Sequence, residues 1–363
     1  MTPPAVKIVK MPLEDARRNS DCVVGNPKRL LDIVDLDVLR GILAKSLSND
    51  AYVRSALYYA FTGRGKVRRL GEGSNTLLLL PHPNSPRSLL VFFPFARDGH
   101  TFCKQVVSLE KHSKFLMRFD RIFLARIPQT IVESAFRERG ELTFGAAKLQ
   151  KIHEEKLDWA YPSYDVSLEA LANQEGSALR IYRKKVRKFD NRDVEILPLG
   201  EMHPEAVKNA ILHVSRRWIW TKSGRLASHP ERRLLLNEML SPYRGLASLS
   251  GLETLEVDGF VLKRGNENLA FSFWEKPRTQ DEAVACMAAL PSSYEKGLSE
   301  FLYYRIAQTL CSQGYKTMCI GGSETAELDR FKRKLAPIHP YHQLNTLELD
   351  LKSPASRQAA SSR

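Results

Sequence analysis

The sequence is poor in cysteine, in long apolar runs and in acid relative to base. Five cysteines, Cys22, Cys103, Cys286, Cys311 and Cys319, are scattered, odd in number and without a CxxC pair. That indicates neither a disulfide framework nor a zinc knuckle, and a reducing cytoplasm is the expected compartment. No stretch approaches the roughly 18 uninterrupted apolar residues of a membrane span. The opening MTPPAVKIVKMPLEDARR has no apolar core of the signal-peptide kind, so any contact with a membrane is expected to be peripheral. His153, His203, His213, His229, His339 and His342 show no ligand spacing with cysteine or acid, and no metal site is expected.

What the chain has instead is base. Its 55 lysines and arginines against 41 acids leave a net charge of +14 on 363 residues, a field that draws transfer RNA, anionic lipid or nucleotide donors. Hydrophobic residues are 43% and charged residues 26%, an ordinary globular balance. At about 150 residues per domain, the length predicts two domains. The base is concentrated in ALRIYRKKVRKFD, Ala178 to Asp190, with six cations in the nine positions from Arg180 to Lys188. At about 100° per residue, Leu179, Tyr182, Val186 and Phe189 share one side of a helix, and Arg180, Arg183, Lys184, Arg187 and Lys188 the other. Such a helix docks by its apolar stripe and keeps a cationic ridge in water. A merely solvated face and a phosphate-contacting face both fit that pattern.

Apolar runs at Thr76 to Leu80 and Ser88 to Phe93 flank the turn formers PHPNSP and predict a hairpin or a short loop. Helical spacing covers about Phe102 to Phe123. GRGKVRR, Gly63 to Arg69, lacks the spacing and the Lys-Ser/Thr ending of a phosphate loop and reads as a basic surface loop. From Asp193 the predicted order is a strand at Val194 to Leu197, helices at Pro204 to Arg217 and Pro230 to Leu240, and strands at Leu255 to Lys263 and Leu269 to Trp274 around the turn RGNEN. An apolar strand at Ala283 to Leu290, a helix from Tyr294 to Cys311 and a strand at Lys316 to Ile320 follow. Gly321-Gly322 breaks that strand, Ser323 or Thr325 caps a helix stopped by Pro337, and Leu344 to Leu351 is a last strand.

Four segments resemble a known family: YDVSLEALANQEGSALRIYRKKVRKF, DGFVLKRGNENLAFSFWEK, YEKGLSEFLYYRIA and CIGGSETAELDRFKRKLAP, within about Tyr161 to Pro337. Together they are similar to the C-terminal catalytic domain of phosphatidylglycerol lysyltransferases, a GNAT-like group related in fold to the Fem-type aminoacyl-tRNA-dependent ligases. The resemblance implies a mixed α/β, GNAT-like acyltransferase fold. It implies a second, degenerate GNAT-like unit ahead of the catalytic one, for which Thr76 to Gly140 is the place. The expected domains are therefore an accessory one at 1–150, a catalytic one at 151–352 and a tail at 353–363. The implied donor is an aminoacyl ester on transfer RNA with no further cofactor, and the implied acceptor a lipid headgroup, a peptide amine or a small molecule. The lysyltransferases carry a large transmembrane half without counterpart here, which argues against the lipid.

In that fold the sheet opens between the Ala283 to Leu290 and Lys316 to Ile320 strands, where exposed backbone and the next helix N-terminus are expected to hold an acyl group and a phosphate. Tyr294, Gly297, Gly321, Gly322 and Ser323 are the expected substrate contacts. The coenzyme A loop of the fold carries several glycines, whereas LPSSYEKGLSE has only Gly297; this favours aminoacyl-tRNA over acyl-CoA. An acyl-CoA-dependent N-acyltransferase and a non-catalytic basic adaptor on RNA or anionic membrane stay as alternatives. Glu275 and Glu295 are expected either to polarise an acceptor amine or to be solvated loop carboxylates. The R-F-K match makes Arg330 and Lys332 the expected cationic catalytic residues, with Lys332 exposed enough that truncation barely moves stability. RRWIWTKSGR, Arg216 to Arg225, would place Trp218 and Trp220 in a loop beside the acceptor, for stacking or interfacial contact, or else in the core. Arg180, Arg183, Lys184, Arg187 and Lys188 would contact tRNA phosphates.

Overall fold

A computed structural model describes residues 31–33, 36–46, 48, 50–82, 85–139, 143, 144, 147–152, 157–223 and 257–350. The strands that open the chain are β1 (Leu31–Ile33), β2 (Val67–Leu70), β3 (Leu77–His82), β4 (Ser85–Phe92) and β5 (Arg121–Pro128). A small ribbon, β6 (Thr143–Phe144) and β7 (Ala147–Lys148), precedes β8 (Gln150–Ile152). Then come β9 (Asp165–Ser167), β10 (Val194–Pro198), β11 (Val257–Arg264), β12 (Glu267–Glu275), β13 (Val284–Pro291), β14 (Thr317–Cys319) and β15 (Leu344–Asp350). They form one sheet in the order β1-β2-β3-β4-β5-β15-β8 and another in the order β10-β11-β12-β13-β14-β9.

Each sheet contains the same motif: an antiparallel meander whose last strand crosses over, through a helix, to a parallel neighbour. In the first sheet β4 and β5 are parallel, joined through the helix Gly99–Glu110. Asp98 starts that helix by accepting the Thr101 amide at 2.7 Å, and Phe102, Val106 and Leu109 bury its inner stripe. In the second sheet β13 and β14 are parallel, joined through the helix Leu298–Ser312. Leu298, Phe301, Leu302, Ile306 and Leu310 are its buried face, the residues the spacing predicts. The architecture is mixed α/β and GNAT-like, built twice along the chain.

Several expectations change. The helical stretch expected over Phe102 to Phe123 is two helices, Gly99–Glu110 and Ser113–Leu116, and Phe123 lies in β5. Ile122 to Ile127 are all buried there, and an aliphatic strand covered on both faces carries no period that separates it from a buried helix. The last strand, expected to close the catalytic unit, instead sits between β5 and β8 in the first sheet. The side chain of Thr325, rather than Ser323, caps the helix Ala326–Arg333. The helix expected at Pro230 to Leu240, Arg225 and the tail at 353–363 lie outside the described residues.

Candidate active site

The two parallel crossovers differ at one point, and the candidate site is built there. β13 and β14 pair only at Val284 with Met318 and Ala285 with Cys319. Gly321, at φ +67°, ends the β14 arm, and a side chain on it would strike the Tyr52 ring at 2.9 Å. β13 continues to Pro291, paired on its far side with β12. Its residues Met287 to Ala289 are half-buried, and past Ala285 no strand among the described residues pairs with this edge of β13. At the apex, the hydroxyl of Tyr52 donates to the carbonyl of Cys286, the first β13 residue past the pairing. Both arms end in a fully buried serine, Ser292 and Ser323, and neither hydroxyl has a hydrogen-bond partner among the described residues.

Lys332 is the cation at this fork, and it is buried at 6% exposure instead of lying on the surface. It sits on the inner side of the short helix Ala326–Arg333, which is also fixed by Asp329: Tyr164 donates to that carboxylate at 2.6 Å and Arg333 pairs with it at 2.8 Å. The Lys332 ammonium donates to the carbonyl of Gly322. Burial holds its pKa below the usual lysine value against the opposing pull of Glu324 and Asp158. Cys286 and Cys319 also face it, but burial pushes the Cys286 thiol up to about 12 and raises Cys319 as well. Neither is a thiolate nucleophile at neutral pH.

The other expected residues divide clearly. Glu275 is the last residue of β12, not a loop carboxylate; it is 8% exposed and takes Arg40 at 3.0 Å, the Leu57 amide at 2.9 Å and the Ser55 hydroxyl. Its lone pairs are committed to joining the helices Leu36–Leu43 and Ala56–Thr62 to the second sheet, which leaves little for an acceptor proton. A cavity of about 410 Å³ opens beside it, at the paired end of β13, where Arg54 meets Glu282 at 3.0 Å. Glu295 is half-buried and bonded to Arg264 at 3.2 Å. Arg330 is exposed, and Tyr294 is 67% exposed. Gly297, at φ +88°, permits the basic helix to sit directly on the loop, since a side chain there would meet the Lys185 carbonyl at 2.2 Å. A side chain on Gly322 would meet the carbonyls of Asp158 and Tyr161, each at 2.5 Å. All three glycines therefore serve close packing of the chain upon itself.

Trp218 and Trp220 lie in the last turns of the helix Pro204–Ser223 and not in a loop; Trp218 packs on the core and Trp220 is 63% exposed. The basic segment is a short 3₁₀ turn, Ser177–Leu179, and the helix Arg180–Val186. Leu179, Tyr182, Val186 and Phe189 are buried against the helix Leu298–Ser312, as the stripe predicts. Arg180, Lys184, Arg187 and Lys188 are exposed, whereas Arg183 donates to the carbonyls of Gln174 and Gly176 at 2.6 and 2.7 Å and caps the preceding turn. Lys296, from the loop ahead of Gly297, adjoins the ridge: its charge and that of Lys184 hold Lys188 below the ordinary lysine pKa.

Solved structures share this fold. A conserved protein of unknown function from Bacteroides thetaiotaomicron superposes with a TM-score of 0.61 at 13% identity, over 88% of this chain and 98% of its own. The C-terminal domain of a putative lysylphosphatidylglycerol synthetase from Agrobacterium fabrum gives 0.53 at 14%, over 90% and 95%. L-PGS from Bacillus licheniformis gives 0.54 at 14%, over 91% and 96%. The fold is the GNAT-like fold of these synthetase domains. At such identities the likeness is one of fold. No protein-family model and no curated protein matches the chain. Among the described residues no helix is long and apolar enough to cross a membrane, and no group of His, Cys, Asp and Glu is placed to hold a metal.

Sequence reasoning missed Arg126, Asp50, Asp158, Tyr52 and Tyr58, which lie at the joint between the sheets. Their partners are up to 234 residues away, as for Tyr52 and Cys286, and no local period or spacing marks such a cluster.

Proposed function

We propose that the chain is an aminoacyltransferase that takes its acyl group from aminoacyl-tRNA and passes it to an amine or hydroxyl acceptor: a small molecule, a peptide or a lipid headgroup. The observation that carries the reading is the run of exposed cations, Lys184, Lys188 and Lys296, beside the loop that leads from the fork into the helix Leu298–Ser312. Like charges crowded in water are unfavourable alone and favourable against a polyphosphate backbone. The loop itself is covered by the backbone at Lys185, an arrangement that suits a backbone tracking along the ridge better than a pyrophosphate wrapped by glycine amides.

In the reaction the acceptor attacks the aminoacyl carbonyl and a C–N or C–O bond forms. The ester bond to the ribose breaks, and the acceptor's proton ends on the released ribose hydroxyl. Lys332 gives one N–H to Gly322, and an ammonium has two more to offer a developing oxyanion. The open backbone of Met287 to Pro291 and the hydroxyls of Ser292 and Ser323 would orient the acyl group. The test is incubation with total charged tRNA carrying labelled amino acids and a cell extract, with and without ribonuclease. A labelled, ribonuclease-sensitive product is expected. Transfer from acyl-CoA, or a rise in melting temperature with millimolar acetyl-CoA and none with charged tRNA, would transfer the assignment to an acyl-CoA enzyme.

A further inference from the structure

The first sheet reaches the fork through one continuous set of contacts. Opposite Arg126 the β5–β15 register shifts, and Arg126 itself adopts φ +57°. Such a bulge re-aims a side chain, and for a residue other than glycine the conformation is costly enough to need support. The support is visible: the guanidinium is 0% exposed and grips Asp50 at 2.7 and 3.2 Å. It lies over the rings of Tyr52 and Tyr58 at 4.8 and 5.0 Å. Its remaining amine reaches Asp158 at 3.1 Å, and the Tyr58 hydroxyl takes the other oxygen of that carboxylate at 2.9 Å. The Asp158 main-chain carbonyl lies where a side chain on Gly322 would meet it at 2.5 Å, and the Gly322 carbonyl receives the Lys332 ammonium.

We infer that Asp158, clamped by Arg126 and Tyr58 of the first unit, is the positioning residue for Lys332, fixing both the place and the electrostatic surroundings of the amine at the fork. Both its oxygens are occupied, so it is not itself an acid or base for the substrate. The groups facing Lys332 are Glu324 from the turn before its helix, Asp158 from the segment at 157–161, Cys319 on β14 and Cys286 on β13. Glu324 exerts the larger pull of the two carboxylates but is exposed to screening by water, and both thiols are neutral; Asp158 is the carboxylate held in place, by Arg126 and Tyr58. The catalytic importance of this role rests on the aminoacyltransferase reading of Lys332, but its existence does not.

The experiment therefore reads Lys332 without any substrate. The full chain is labelled with [ε-¹³C]lysine, the Lys332 resonance is assigned by its loss in Lys332→Arg, and its titration is followed by NMR. Asp158→Asn keeps the shape and an oxygen for Arg126 but removes the charge. The midpoint should fall by about one pH unit, which is a tenfold larger neutral fraction at a given pH. Tyr58→Phe strips one donor from the carboxylate, leaves more of its charge to Lys332 and should raise the midpoint; it also serves if the Asn variant does not fold. Glu324→Gln should shift it less than Asp158→Asn does. Unchanged midpoints in the Asp158 and Tyr58 variants, or a dominant effect of Glu324, would overturn the inference. Shifts as expected together with no labelled product from charged tRNA would sink the aminoacyl reading and leave this one standing.

Discussion

The first and second sheets use one crossover topology with opposite outcomes. β4 and β5 stay paired from Ser88–Arg121 to Phe92–Ala125, five register pairs, whereas β13 and β14 part after two. The difference lies in the strand that each crossover helix delivers. β5 offers eight residues, aliphatic and buried along most of their length, and zips against β4. β14 is three residues long and is cut off by Gly321. A closed crossover leaves no exposed strand backbone to hold a substrate; an open one does. What the first unit contributes to the opening in the second sheet is Tyr52 at the apex and the Arg126 clamp behind it.

The largest test of that division is Arg126→Met. It leaves Asp50 buried and Asp158 half-buried without their partner, and breaking a buried pair from one side costs about 3–5 kcal/mol; urea unfolding should show a destabilisation of that order. A change under about 1 kcal/mol would mean that apolar packing alone joins the units. Next comes Lys332→Ala, with turnover down about 10²-fold if one preorganised donor to the oxyanion is removed. Because Lys332 is buried with a depressed pKa, removing its charge also relieves a desolvation penalty, so Lys332→Met should melt no lower than the unsubstituted chain. Full activity in either variant would return Lys332 to a packing role.

The two sheets should also separate by pH. Desolvation, aided by Arg121, lowers His82 at the end of β3 to a pKa of about 4. A depressed histidine contributes stability that is present above its ordinary pKa near 6.5 and lost as pH falls through the folded value, here up to about 3 kcal/mol. Lys332 acts at the other end: with its folded pKa below the unfolded one, stability rises as pH climbs toward the ordinary lysine range. Melting curves of His82→Phe and Lys332→Met should each lose one of these slopes and keep the other; a variant that altered both would show that the slopes do not belong to separate sheets. The smallest effect per residue is on the ridge. Changing Lys184, Arg187, Lys188 and Lys296 to Gln should make the salt dependence of tRNA binding shallower by about 0.7–0.9 for each phosphate no longer neutralised. Arg183 is left alone because it caps a turn. An unchanged slope would remove this face from the RNA.

Much of the second unit was legible because its elements are amphipathic and punctuated: the helix Leu298–Ser312, the Gly321-Gly322 break and the stripe of Leu179, Tyr182, Val186 and Phe189 all obey period and turn chemistry. Whether a side chain is buried by something distant was not legible. Lys332 and Glu275 look like surface charges in sequence, but segments distant along the chain, around Asp158 for one and Ser55 for the other, lie close to them in the fold. The tryptophans were misplaced for a simpler reason: the helix from Pro204 runs on to Ser223 without a stop signal.

The position of β15 has a consequence for how the molecule is made. Leu344 pairs with Pro128 and Asp350 with Arg121, so an inner strand of the first sheet is among the last described residues to be synthesised. Until it arrives, β5 is an edge strand of eight residues, hydrophobic and nearly all buried in the finished sheet, which is the kind of edge that recruits other chains. While the second unit is being synthesised, the first lacks the strand that lies against β5 in the finished sheet. Pairings so distant in sequence form slowly. Expression of residues 31–152 alone would therefore yield no separable domain, since the piece that completes it lies some two hundred residues downstream.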